Sequence, residues 1–103
     1  MNTTTFCFAV TTAQGTQITL AGYELGLLVQ ASAPRGMYIA PHRQFRISTA
    51  TELELHGFLR TGALPMYAAR WTLTDMGVQI LDDLKLAFPD EYTRIHGTYY
   101  LHT

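Results

Sequence analysis

Hydrophobic residues near the start of the chain occupy every second position, a spacing typical of a β-strand. The run covers residues 4–11 and is rich in aromatic and β-branched side chains. A turn around Gly15 then leads into residues 17–20, which form either the second strand of a hairpin or the lead into a helix. Cys7 lies inside the alternating run, so we predict that it is a small core residue.

The spacing of apolar residues becomes helical over residues 20–32. From Leu20 onward, apolar side chains recur at i, i+3, i+7 and i+8, which predicts a helix with one buried face. Gly22 and Gly26 each lower the helix propensity by roughly 1 kcal/mol relative to alanine. The stability of this helix therefore has to come from packing, and Pro34 is expected to end it.

The middle of the chain has two interpretations. Basic residues and a proline interrupt the pattern in residues 37–47, which form either a short irregular helix or an exposed loop. Ser48 is then a suitable N-cap for a helix over residues 48–61, with Gly62 as its C-terminal residue in the left-handed conformation. Gly57 offers an alternative end, which shortens the helix and lengthens the hairpin that follows.

The clearest local signal is the stretch RWTLTDMGVQILDDL, residues 70–84, where a strand changes to a helix without a linker. Thr74 is a good N-cap, because its hydroxyl oxygen can accept a hydrogen bond from an amide of the first turn. Asp75 complements the positive end of the helix dipole. Gly77 is poor for helix propensity and indicates that another backbone passes close by. The amphipathic helix is predicted to end before Pro89.

Further strands are predicted on both sides of this helix. Residues 63–73 form a short hairpin with its turn at residues 65–68. At the end of the chain, residues 97–101 are predicted to form a final strand. In such a strand Tyr99 and Tyr100 point to opposite faces, so one of them is expected to be exposed and available to a partner.

The order of these elements resembles the winged helix-turn-helix domain of bacterial transcriptional regulators of the multiple-antibiotic-resistance and phenolic-acid-response (MarR and PadR) types. The resemblance covers roughly residues 19–87. It rests on the Leu-Thr-x-x-Gly pattern of Leu73–Gly77 at the start of the last amphipathic helix. It also rests on the spacing of Leu55, Phe58 and Gly62 ahead of the hairpin.

The resemblance implies an α+β fold, a winged helix-turn-helix-like domain with additional N- and C-terminal β-strands. Residues 1–103 are expected to form a single domain with its core in residues 19–88. The recognition helix falls at residues 48–61 and the wing at residues 63–73.

Charge is unevenly distributed along a chain whose net charge is −1. Residues 1–34 carry only Glu24, residues 35–70 carry five arginines against two glutamates, and residues 71–103 carry five acids against two bases. The local balances are therefore −1, +3 and −3, which predicts a positive face in the middle of the domain.

The leading interpretation is a small DNA-binding transcriptional regulator that acts on double-stranded DNA without a cofactor. A recognition helix presents its first turns to base edges, while arginines contact phosphates. The predicted DNA contacts are Arg43, Arg46, Ser48, Thr49, Thr51, Arg60 and Arg70.

Three departures from the family pattern favour a different function. Pro41 lies where the first helix of the helix-turn-helix is expected, Glu52 and Glu54 repel phosphates, and the wing tip has no lysine or arginine. They favour a winged-helix protein-interaction module without DNA binding, such as a small phage or mobile-element protein that inhibits a host protein. The terminal strands are expected to pair within the chain or across a homodimer. The predicted interface residues are Met66, Tyr67, Tyr99 and Tyr100.

The remaining chemistry is sparse. The four histidines lack the short spacings of zinc ligands, and no nucleotide-binding or catalytic motif is present, so we predict no enzyme, metal or cofactor. The single cysteine, the absence of a basic secretory signal and the absence of an 18-residue apolar span predict a cytoplasmic protein without a membrane segment. Aromatic residues are expected in the core: Phe6, Phe8, Tyr23, Phe45, Phe58, Trp71 and Phe88.

Overall fold

Four helices and two small antiparallel sheets make an α+β fold in the computed structural model, which describes residues 6–63 and 69–100. A two-stranded sheet lies at the N-terminal end, and a three-stranded sheet is built from the middle of the chain. The elements in chain order are β1 (Cys7–Thr11), β2 (Gln17–Ala21), α1 (Gly22–Ala31), β3 (Met37–Tyr38), α2 (Gln44–Leu55), β4 (Leu59–Ala63), β5 (Ala69–Leu73), α3 (Asp75–Ala87) and α4 (Pro89–Tyr99).

Of the two interpretations of residues 17–20, the second strand of a hairpin is correct, with β1 and β2 paired antiparallel over all five residues of each strand. Val10 is buried and Phe8 is half-buried on the inner face. Cys7 is exposed, so its prediction as a core residue is wrong. Neighbouring residues of a strand point to opposite faces, and the two buried positions place Cys7 on the outer one.

Helix α1 is the centre of the fold and begins directly after β2. Residues 25–31 are all buried, so the helix is covered on nearly every side rather than along the one face that its spacing predicted. The Glu24 carboxylate accepts a hydrogen bond from the Ala21 N–H at 2.8 Å and so caps the first turn. A Cβ on Gly26 would lie 2.6 Å from the Tyr99 ring, which shows how closely α4 crosses α1.

The prediction of a helix over residues 48–61 is wrong in its register. Helix α2 begins four residues earlier, at Gln44, with Arg43 at the N-cap, so Ser48 lies inside the helix and does not cap it. The five residues between β3 and α2, residues 39–43, contain no helix. Of the two interpretations of residues 37–47, the exposed loop therefore describes the stretch around Pro41.

The glycine that terminates helix α2 is Gly57, and not Gly62. Gly57 has φ of +93°, in the left-handed region that favours glycine, whereas Gly62 lies within β4. The neighbouring His56 carbonyl accepts a hydrogen bond from the Ala13 N–H at 2.8 Å, in the turn of the N-terminal hairpin. This long-range bond fixes the end of α2 at the earlier glycine.

The three-stranded sheet has the order β3-β5-β4, with both pairs antiparallel. Trp71 of β5 lies between Met37 and Thr61 and is buried against the core. Strand β5 has its predicted bounds, but the strand before it starts at Leu59 rather than at residue 63. The predicted turn at residues 65–68, with the interface residues Met66 and Tyr67, lies outside the described residues.

The junction between β5 and α3 confirms the predicted cap. The Thr74 hydroxyl accepts a hydrogen bond from the Gly77 N–H at 3.2 Å and donates one to the Gly57 carbonyl. The Thr74 N–H donates to the Phe58 carbonyl at 3.1 Å. A Cβ on Gly77 would collide with that same carbonyl oxygen, which is the close backbone approach that the glycine indicates. Helix α3 ends before Pro89, as predicted.

The predicted C-terminal strand is wrong, because helix α4 occupies most of that segment. Pro89 takes the first helical position, where its missing N–H costs nothing, and acidic residues fill the first turn. Ile95 is the buried residue of this helix. Tyr99 and Tyr100 are both half-buried at its end and do not point to opposite faces of a sheet.

The core contains Phe58 and Trp71, as predicted, but not every aromatic residue. Phe45 is 71% exposed and Phe88 is 45% exposed, so both predictions of a core position are wrong. The Phe88 ring still packs edge to face against Phe6, with the centroids 5.2 Å apart. Phe88 therefore closes the space between the hairpin and the α3–α4 turn.

Candidate functional site

Arg46, one of the predicted DNA contacts, turns towards the interior. Its guanidinium donates a hydrogen bond to the Gln30 side-chain oxygen and lies 3.9 Å from the Met37 sulfur. Gln30 is only 1% exposed, and its amide nitrogen donates in turn to the Tyr99 carbonyl at 3.2 Å. Arg46 thus belongs to a polar connection between α2, α1 and α4.

The hydroxyl groups predicted to reach DNA bases are mostly engaged within α2. Thr49 donates to the Phe45 carbonyl at 3.0 Å, and Thr51 donates to the Ile47 carbonyl at 2.8 Å. Such bonds to the carbonyl four residues earlier occupy the hydroxyl hydrogen. Ser48 is exposed.

Ser48 and Thr49 line a depression between the start of α1 and α2, which we name the α1–α2 groove. Its volume is about 540 Å³. From Phe45, the residues at i+3, i+4 and i+7 face the same side of α2 and form one wall. The lining residues are Tyr23, Glu24, Phe45, Ser48, Thr49 and Glu52.

Two aromatic rings meet at this groove. The Tyr23 and Phe45 centroids are 5.2 Å apart, with their planes tilted by 58°. Phe45 is 71% exposed, and its ring is held beside a second aromatic residue, so the two together offer an apolar contact surface. The two rings form the apolar part of the groove lining.

The charge of the α1–α2 groove is negative. Glu24 and Glu52 line it, and no lysine or arginine does. Glu54, the other acid of α2, turns away, because its carboxylate accepts a hydrogen bond from the Thr61 N–H of β4 at 3.1 Å. Of the two glutamates expected to oppose DNA, Glu52 therefore lies on this surface, together with Glu24 of α1.

The outer surface of the three-stranded sheet has the opposite charge. Arg60 faces Thr72 across the strands, and Arg70 faces Tyr38. Since Trp71 points to the core, the alternation of the strand places these arginines on the solvent side, which we name the arginine sheet face. Among residues 6–63 and 69–100 the ion pair is Arg94–Glu91, so neither sheet arginine has a carboxylate partner there.

The seven predicted DNA contacts are therefore divided among different surfaces. Ser48 and Thr49 line the acidic α1–α2 groove, and Arg46 faces the interior. The other four, Arg43 at the start of α2, Thr51 on α2, and Arg60 and Arg70 on the sheet, are exposed. The sequence interpretation did not select Tyr23, Glu24 and Phe45 as groove residues. The only sequence signal for the groove was the spacing of Phe45, Thr49 and Glu52 along one helix face.

Within the part of the chain that the structure describes, no three His, Cys, Asp or Glu side chains are grouped so that they could hold a metal ion. None of the described helices has the length and apolar character needed to cross a bilayer. Comparison of the chain with protein-family models, curated proteins and solved structures gives no match. The groove and the arginine sheet face are therefore interpreted from their own chemistry.

Proposed function

We propose that this chain is a protein-interaction module with a winged-helix-like frame that binds a partner protein through the α1–α2 groove. The sheet order β3-β5-β4 supports the frame, together with one helix before β3, one before the β4–β5 hairpin and one after it. This succession follows the order of elements that the resemblance implies.

The proposal is carried by the single helix between β3 and β4. A helix-turn-helix needs two helices at this place, since the first crosses the DNA backbone and the second lies in the major groove. Here residues 39–43 contain no helix, and Pro41 lies at their centre. Helix α2 therefore stands without the partner helix that positions a recognition helix.

The chemistry of the α2 surface also supports a protein partner. Two carboxylates beside Ser48 and Thr49 repel the phosphates of a DNA duplex. An exposed phenylalanine beside a tyrosine is typical of the aromatic anchors that contribute most of the binding energy in protein interfaces. The groove therefore favours a polypeptide ligand over a nucleic acid.

Replacing Phe45 with alanine is expected to lower the capture of the partner by roughly tenfold or more, because an anchor residue contributes about 2 kcal/mol to binding. The experiment immobilises the chain, incubates it with an extract of its source cells and quantifies the retained proteins by mass spectrometry. Leu86→Ala is the matched control, since Leu86 is 87% exposed on α3 and is absent from the groove lining. Proteins that both variants retain equally would contradict the proposal.

A second candidate function is nucleic-acid binding by the arginine sheet face, favoured by the two arginines without a carboxylate partner among the described residues. We expect no retention of the chain on nonspecific duplex DNA at low salt. A DNA affinity that falls steeply with salt concentration would support this candidate instead, provided that Arg60→Ala lowers the slope of log affinity against log salt concentration by about one. The same decrease in slope for Arg43→Ala would place the DNA contact at the start of α2 and would overturn the proposed function.

A further inference from the structure

We infer that the α1–α2 groove recognises an arginine side chain presented by the partner protein, an inference that rests on the proposed function. The first observation is charge complementarity. Glu24 and Glu52 line the groove, and no positively charged residue of the chain does. A ligand that enters this space gains most if it brings a positive charge.

The second observation is the aromatic pair. A cation over the face of an aromatic ring is attracted by the ring quadrupole, and a planar guanidinium also stacks on the ring. The Tyr23 and Phe45 rings are tilted by 58° to one another, and Phe45 is largely exposed. This surface fits a flat cation better than the compact, strongly hydrated ammonium of lysine.

The third observation is the unused hydrogen-bonding capacity of the lining. One Glu24 oxygen accepts the Ala21 N–H, while the other has no hydrogen-bond partner among residues 6–63 and 69–100. In the same part of the chain, the Glu52 carboxylate has no hydrogen bond or ion pair. A guanidinium carries five N–H donors, which suits a lining that offers several acceptors.

These features select between kinds of partner. A phosphate or an acidic peptide is repelled by the two carboxylates, and an uncharged apolar side chain would leave them without a counter-charge. An arginine uses the rings and the carboxylates together. The partner segment is therefore a polypeptide with an exposed arginine and few acidic residues beside it.

The experiment titrates the full ¹⁵N-labelled chain with an amidated hexa-arginine peptide and, separately, with an amidated hexa-lysine peptide, and follows the backbone amide signals by NMR. We expect the largest shifts at Tyr23, Glu24 and the first two turns of α2. Hexa-arginine is expected to bind more tightly than hexa-lysine. Glu24→Gln with Glu52→Gln is expected to weaken hexa-arginine binding by roughly three- to tenfold, since each exposed ion pair contributes modestly. The glutamine at position 24 keeps an oxygen that can cap the Ala21 N–H.

The matched control is Asp82→Asn with Asp83→Asn on α3, which changes the net charge by the same amount away from the groove. Equal weakening by both double variants, shifts centred on α3 and α4, or equal binding of hexa-lysine would overturn the inference. The proposed function is tested separately by the Phe45-dependent capture. Capture that depends on Phe45, with no preference for hexa-arginine, would leave an interaction module whose ligand is not an arginine. Loss of the Phe45 dependence would instead reject the module itself.

Discussion

Replacing Phe58 with alanine is expected to lower the free energy of unfolding by about 4 kcal/mol, the largest effect that we predict for a single substitution. Phe58 is fully buried, and its ring lies 5.9 Å from that of His56. Its backbone carbonyl accepts the Thr74 N–H, which places the buried ring where α2, β4 and α3 meet. Urea denaturation followed by circular dichroism measures the change.

Phe45→Ala is the matched control, because it removes the same side chain from a position that is 71% exposed. We expect a change in unfolding free energy of less than about 0.5 kcal/mol, as for surface substitutions in general. A loss at Phe45 close to that at Phe58 would mean that Phe45 has a structural role, and its use as an interface probe would fail. A small effect at Phe58 would contradict the packing described for the core.

Gly77→Ala is the second large effect, with an expected loss of about 2 kcal/mol in unfolding free energy. The new Cβ would collide with the Phe58 carbonyl oxygen and would lie 2.9 Å from the Leu73 side chain. The gain in helix propensity of roughly 1 kcal/mol offsets part of the overpacking. Because the obstacle is backbone held by a hydrogen bond to Thr74, it cannot move as a flexible side chain would.

Gly97→Ala provides the comparison for this substitution, since a Cβ there meets nothing within 4 Å. Gly97 lies in α4, so alanine is expected to stabilise the chain by about 0.5–1 kcal/mol. Thermal unfolding of both variants checks the pair. If both substitutions changed the stability alike, helix propensity alone would account for the effect of Gly77→Ala. The close approach of α3 to the Phe58 carbonyl would then have no effect on stability.

The strand-to-helix junction was predictable because its causes are local. The Thr74 hydroxyl and the Gly77 N–H that donates to it are three residues apart, and Gly77 is also the glycine that permits the close approach. The first strand of the N-terminal hairpin was predictable for a similar reason, since local alternation sets its faces, whereas residues 17–20 fitted either a second strand or the lead into a helix. Exposure of Cys7 was also contained in that alternation, but its apolar neighbours suggested the opposite.

The end of α2 depended on contacts that the sequence does not display. Gly57 and Gly62 are both reasonable helix ends, and the bond between Ala13 and the His56 carbonyl, which joins residues far apart in the chain, selects the first. In the C-terminal segment, the tyrosines and threonines suggested a strand. Proline at the first helical position and an acidic first turn were the better signals, and the packing of Tyr99 on Gly26 completes the helix.

The α1–α2 groove was the least predictable feature. Tyr23 and Phe45 are far apart in the sequence, and each resembles an ordinary core aromatic residue until the folded chain places them at a surface. Arg46 shows the reverse: its charge suggested a phosphate contact, yet the buried Gln30 supplies a closer acceptor. Tertiary packing, which decides exposure, therefore decided which polar residues of α2 are available to a ligand.

The hydroxyl of Thr74 has a consequence for how the molecule opens. It joins the Gly57 carbonyl to the Gly77 N–H, while the adjacent backbone N–H holds Phe58. The end of α2, the start of β4 and the first turn of α3 therefore share one set of bonds, and we expect them to open together as one cooperative unit. The α1–α2 groove runs along α2 from Phe45 to Glu52 and includes none of the residues that make these bonds, so a partner can bind there and leave this unit closed.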